Sequence, residues 1–159
     1  PLREARSRLR TVDLVVATSR GSPGPAVAEP TPTIAAHHEI GDAQCLKTGE
    51  RRTLEAFAGA RVHAIAGIGN PESVFAMLRA HGLDVDSHPL PDHAAITPAD
   101  VSFAGTAPIL MTEKDAVKCR DFATERHWFV PLHVRLAEAD ARRIEDLLLR
   151  VAKSSQTER

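Results

Sequence analysis

Residues 61–82 limit the possible folds more than any other stretch. Arg61 to Ala66 is a short apolar run that reads as a strand, and Gly67-Ile68-Gly69-Asn70-Pro71 turns it into a helix. Asn70 stands at the N-cap position. Pro71 stands at the first helical position, where its missing N–H costs nothing, and Glu72 favours the positive helix end. Val74, Phe75 and Leu78 recur at helical spacing, and Gly82 follows as the residue that ends the helix. A strand that runs straight into an amphipathic helix buries both on a common core, and repetition of such units builds an α/β layer fold.

The unit repeats downstream. Leu83 to Leu90 leads to a corner, Pro91-Asp92-His93, after which Thr97, Pro98 and Asp100 carry the signals of a helix start. Pro108 to Met111 reads as a third strand. Thr112-Glu113-Lys114-Asp115 follows with capping-box spacing, Asp standing in for the usual Glu or Gln. Trp128 to Val134 reads as one last strand. Ile144, Leu147, Leu148 and Val151 predict a C-terminal helix packed on the sheet, with a frayed polar tail after Lys153.

Upstream the signals are weaker. Val12 to Ala17 reads as a buried strand, Thr33 to Leu46 as one or two short strands about Gly41-Asp42, and Thr53 to Phe57 as a short helix. The glycines and prolines between Ser19 and Pro32 oppose both helix and central strand. The expected organisation is an N-terminal region over 1–18, a loop or linker with short strands over 19–50, an α/β lobe over 51–153, and a tail over 154–159. The fold class is α/β, with a mainly parallel sheet and helices on both faces. The turns Gly67 to Pro71, Pro91 to Thr97 and Thr112 to Asp115 then share the carboxyl rim of the sheet. Each meets a helix N-terminus, which makes the rim an anion or phosphate site.

Bulk properties narrow the function. A chain of 159 residues suffices for one domain with a core, and no apolar run is long enough to span a bilayer. A net charge of -1 argues against a general nucleic-acid partner. Cys45 and Cys119 lie far apart and suggest no disulfide framework. The chain starts at Pro1 without Met, and its Arg-rich opening reads as the interior of a longer protein. Arg3, Arg6, Arg8 and Arg10 with Glu4 form either a solvated helix face or an anion-binding edge.

Single motifs carry limited information. Gly67-Ile68-Gly69-Asn70 lacks the third glycine of a dinucleotide fingerprint, and no Walker A pattern occurs. His93 beside Asp92 on a turn suits proton handling near neutral pH, and equally suits a surface or capping histidine. Lys114 reads as a phosphate contact or a solvated side chain, and Asp115 as a cap rather than a catalyst. His37-His38 has no second ligand cluster at matching spacing, which argues against a metal there. The residues alone end at an α/β domain with an anion-binding rim and one candidate acid/base histidine. A non-catalytic module for a phosphorylated small molecule fits them, as does half of a nucleotide-sugar glycosyltransferase.

Four motifs occur in order: Pro1-Leu2-Arg3-Glu4, Ala66-Gly67-Ile68-Gly69-Asn70-Pro71, Pro91-Asp92-His93, and Thr112-Glu113-Lys114-Asp115-Ala116-Val117-Lys118. Together, from Pro1 to about Val151, the chain resembles the C-terminal part of the tetraacyldisaccharide 4'-kinase family of lipid A biosynthesis. The resemblance implies transfer of the ATP γ-phosphate, with magnesium (Mg2+), to the 4'-hydroxyl of an acylated glucosamine disaccharide phosphate. It implies work at the cytoplasmic face of the bacterial inner membrane. It places the P-loop, an acidic catalytic segment and a membrane-associating helix in an N-terminal lobe not included here, without which this stretch is expected to be inactive.

By the same resemblance His93, with Asp92 beside it, pairs with an aspartate base of that lobe. Arg3 meets phosphate and Glu4 a magnesium ion. Gly67, Gly69, Asn70, Thr112 and Lys114 line the other wall of the cleft. Ala5, Ala94 and the pair Ser73-Val74 depart from the family pattern. Ala94 stands where a second histidine is frequent, which counts against a mechanism needing two adjacent histidines.

Overall fold

The computed structural model describes residues 4–19, 31–92 and 95–157. They divide into two compact units, Glu39–His133, and Pro1–His38 with Val134–Arg159. The N-terminal segment therefore groups with the C-terminal helix, and the 50/51 boundary expected from sequence falls inside a β-hairpin of the first unit.

In the Glu39–His133 unit the strands are β3 (Ala43–Cys45), β4 (Arg51–Arg52), β5 (Arg61–Ala66), β6 (Asp84–Pro89), β7 (Ile109–Thr112) and β8 (His127–Val130). The other unit is built on β1 (Val15–Ser19), β2 (Thr33–Ile40) and β9 (Leu132–Leu136). The helices are α1 (Pro71–Ala80), α2 (Glu113–Cys119) and α3 (Glu138–Thr157). Single 3-10 turns occupy Leu54–Phe57 and Pro98–Val101, so the expected helix start at Thr97 makes one turn and stops.

The six-stranded sheet has the order β4-β3-β8-β7-β5-β6. β6, β5, β7 and β8 run parallel, while β3 joins β8 and β4 antiparallel. This is the expected mainly parallel α/β sheet. Alternation along β5 sends Val62, Ala64 and Ala66 to one face, where they pack with Val74, Phe75 and Leu78 of α1. Ile65 faces the other way, into a core with Ile109, Met111 and Ala116 and Cys119 of α2. Helices thus cover both faces, and each fully buried Phe or Leu contributes about 1.5–3 kcal/mol. Gly82 ends α1 at φ +83, in the left-handed region that favours glycine.

Two expectations need correction. The run from Trp128 to Val134 is not one strand. Pro131, which has no N–H to give a ladder, separates β8 from β9, and the two strands lie in different sheets. The C-terminal helix forms and continues to Thr157, so the tail through that residue is helical rather than frayed. Its apolar stripe is largely open, however. Leu148 is 62% exposed, and Leu149 and Val151 are exposed as well. Helical periodicity fixes which residues share a face and says nothing of what covers it.

Candidate functional site

Strand order locates the site. β5 lies between β6 and β7, and the chain leaves β5 through α1 on one face but leaves β7 through α2 on the other. Where neighbouring strands send their helices to opposite faces, a crevice opens at the carboxyl ends. Gly67 follows β5 at that edge, and Thr112 closes β7. The Leu90 amide donates to the Ala66 carbonyl at 3.0 Å, so the corner beginning at Pro91 starts from the same edge. The sharing of one rim by these three turns, expected from sequence, holds for the described residues.

Asp115 ties the turns together. Its side chain has 0% exposure. Its carboxylate accepts the Gly67 amide at 2.8 Å and the Thr112 hydroxyl at 2.6 Å, and Lys118 Nζ lies 3.3 Å away. The Asp115 amide donates to Thr112 Oγ1 at 3.2 Å. A buried carboxylate is costly unless paired and hydrogen-bonded, and here both conditions are met. Gly67 permits the approach, since a Cβ there would lie 2.9 Å from Asp115 Oδ1. The cap of α2 is Thr112, which accepts the Asp115 amide, and the Asp115 carboxylate is instead a clamp between the β5 and β7 turns, which sequence reasoning missed. Its partner Gly67 lies 48 residues away, and no local pattern reports such a pair.

Above the clamp sits an exposed pair. Lys114 Nζ lies 2.7 Å from Asp92 Oδ1 and 3.4 Å from the Gly67 carbonyl. A Cβ on Gly69 would lie 4.0 Å from Asp92 Oδ2, which puts the glycine turn directly beside the Asp92 corner. The structure thus brings together Gly67, Gly69, Asp92, Thr112 and Lys114. The Gly67 amide and the Thr112 hydroxyl are both engaged by Asp115. An ammonium in an exposed ion pair is held by about 1 kcal/mol or less, so an arriving phosphate competes for it readily.

The remaining candidates are placed as follows. Asn70 occupies the N-cap of α1 without a side-chain cap bond, and its carbonyl accepts from Ser73 Oγ at 2.8 Å. Glu4, in the other unit, is exposed and pairs with Arg8 at 3.1 Å. Arg3 and His93 lie outside the described residues. His37 and His38 lie on β2. Among the described residues, the cluster of potential metal ligands is instead His63, Asp86 and His88. Parallel register places His63 opposite Asp86 and Ile65 opposite His88, a pairing that sequence spacing does not reveal.

Fold and rim together define a doubly covered α/β domain with a charged crevice at the switch point of its parallel sheet, the class that binds phosphorylated ligands at strand ends. The family model for tetraacyldisaccharide-1-P 4'-kinase (LpxK) matches residues 1–153, and the chain belongs to that family. The tetraacyldisaccharide 4'-kinase of Nitrosococcus oceani is 43% identical over 153 residues, covering 96% of this chain and 43% of that protein. That of Aromatoleum aromaticum is 44% identical over 149 residues, covering 93% and 44%. The crystal structure of "apo" form LpxK from Aquifex aeolicus in complex with ATP aligns at a TM-score of 0.71 with 20% identity. It covers 94% of this chain and 46% of that one, and shows the shared fold. The chain spans less than half the length of the relatives it matches.

Proposed function

We propose that this chain supplies the C-terminal part of an ATP-dependent tetraacyldisaccharide 4'-kinase, a phosphotransferase acting on an alcohol group. The observation that carries the reading is the family match over residues 1–153, which include the Gly67, Asp92 and Thr112 turns that meet at the sheet's switch point. The reaction moves the ATP γ-phosphate to the 4'-hydroxyl of a tetraacyldisaccharide 1-phosphate in lipid A biosynthesis. The P-loop comes from an N-terminal lobe, and that lobe also provides attachment to the cytoplasmic face of the inner membrane. Among the described residues no helix is long and apolar enough to cross a membrane.

Catalysis of this kind is mostly positioning and charge neutralisation. Lys114 turns from Asp92 toward phosphate oxygens, while Asp115 and Gly67 keep the two turns in register. His93 orients the aspartate that takes the proton of the attacking hydroxyl. Arg3 grips phosphate through its planar fork. Glu4 offers the hard carboxylate oxygen that magnesium prefers, once its pairing with Arg8 opens. The ion supplies neutralising charge at the phosphates.

The test is phosphate transfer from labelled ATP to tetraacyldisaccharide 1-phosphate. The protein encoded with its upstream region should phosphorylate the lipid, and the 159-residue chain alone should not. An upstream region without a P-loop, or absence of transfer by the intact protein, would overturn the proposal.

A further inference from the structure

We propose that His63, Asp86 and His88 form a binding site for a borderline divalent transition-metal cation, with zinc as the reference ion. The site lies on β5 and β6, apart from the Asp115 clamp and the Lys114 pair. Three donor atoms already converge there. His63 Nδ1 lies 3.2 Å from His88 Nε2 and 3.3 Å from Asp86 Oδ2, and His88 Nε2 lies 3.7 Å from Asp86 Oδ1. Zinc bonds of about 2.0 Å to nitrogen and oxygen set the edges of a tetrahedral donor set at roughly 3.3 Å. The two separations from His63 Nδ1 match that edge closely, and the two histidine nitrogens approach different oxygens of Asp86, so a small rotation of the carboxylate presents one oxygen to both; the donor atoms of the three residues lie within 4.8 Å of one another. Two imidazoles and one carboxylate leave a fourth position for water, the pattern of an open zinc site.

The surroundings hold the ligands in place. The Phe103 ring lies 4.2 Å, centroid to centroid, from each imidazole, stacked on His63 at 17° and tilted on His88 at 31°. The His63 side chain is 12% exposed, and those of Asp86 and His88 are each 30% exposed, which shields the donors yet leaves an entry path. Burial holds the His63 imidazole below its ordinary range, opposed by the Asp86 charge. The hydrogen bond from Arg61 keeps the Asp86 carboxyl low, so it presents an anion.

In the metal-free protein a proton on one ring bridges the facing His63 and His88 nitrogens, the tautomer deciding which of them donates. A metal ion replaces that proton and bridges β5 to the edge strand β6, four residues before Asp92. The competing cation is Arg61, whose guanidinium lies 2.8 Å from Asp86 Oδ2 and is largely exposed.

The test is titration of the metal-free protein with Co2+, read by visible absorption, followed by displacement with Zn2+. One equivalent should bind with the strong d–d bands of a four-coordinate ion, and Zn2+ should abolish them and raise Tm. His88→Gln, at a partly exposed position, should weaken Co2+ binding at least tenfold, and His37→Ala should leave it unchanged. Arg61→Ala should tighten it. Failure of the wild-type protein to bind one equivalent would overturn the site, as would equal affinity in His88→Gln.

Discussion

The Asp115 clamp, on α2 at the rim of the six-stranded sheet, and the His63–Asp86–His88 cluster, on β5 and β6 of that sheet, balance charge in opposite ways. Asp115 is sealed from solvent, and its carboxylate is bonded to an amide and a hydroxyl with an ammonium beside it. The histidine cluster is half open, relies on contacts between rings, and has one arginine at its carboxylate. A sealed charge with every acceptor used is a structural joint, because removing it strands its donors. An open cluster held by an exchangeable proton can exchange its occupant. The Asp92–Lys114 pair resembles the second case, which is why the rim's ligand-facing chemistry is assigned to it and not to the clamp.

The largest expected effect tests the joint. Asp115→Ala leaves the Gly67 amide and the Thr112 hydroxyl without an acceptor and should cost about 3–5 kcal/mol in equilibrium urea unfolding. A loss below about 1 kcal/mol would erase the distinction between clamp and rim. Gly67→Ala drives a Cβ into Asp115 and should cost roughly 1–3 kcal/mol by the same measurement. If it is neutral, the turn has room that the geometry denies.

His127 sharpens the contrast by pH. It is buried, its Nδ1 accepts the Thr124 amide at 3.0 Å, and burial holds its pKa below the ordinary value. The unfolded chain therefore takes up a proton on this ring before the folded chain does. The contribution is fully present above about pH 6.5 and is lost as pH falls through the folded value. The urea midpoint should fall between pH 7 and pH 5, and His127→Gln should flatten that fall. An unchanged slope in the variant would assign the pH dependence elsewhere.

The smallest expected effect on stability is at the rim. Lys114→Ala removes an exposed ion pair and should cost about 1 kcal/mol or less. Its turnover in the intact kinase should nonetheless drop at least tenfold, and a large stability loss with normal turnover would reverse the assignment.

Legibility from sequence followed the range of the interaction. β5, its glycine turn and α1 were readable to the residue, because strand run, N-cap position, Pro71 and Gly82 are all local signals. The turn start at Thr97, Pro98 and Asp100 was readable for the same reason, whereas the capping box there, in which Asp100 accepts from the Thr97 amide at 2.7 Å, was not read from the sequence. The division of 128–134 into two strands was missed although Pro131 marks it, because the apolar run on either side outweighed one residue. The clamp was only half readable: Thr112 and Asp115 are neighbours, but Gly67 is distant. The histidine cluster depends on parallel register, and register is set by packing of the whole sheet. The grouping of residues 1–38 with 134–159 likewise arises from contacts between the two ends of the chain.

The account's central claim is that this chain carries the histidine-bearing half of a lipid-sugar kinase site. The most direct measurement is steady-state turnover of the intact protein with His93→Ala, alongside its thermal unfolding. The account predicts that kcat falls about 10²–10⁴-fold with Tm unchanged. Wild-type turnover in a folded His93→Ala protein would contradict it.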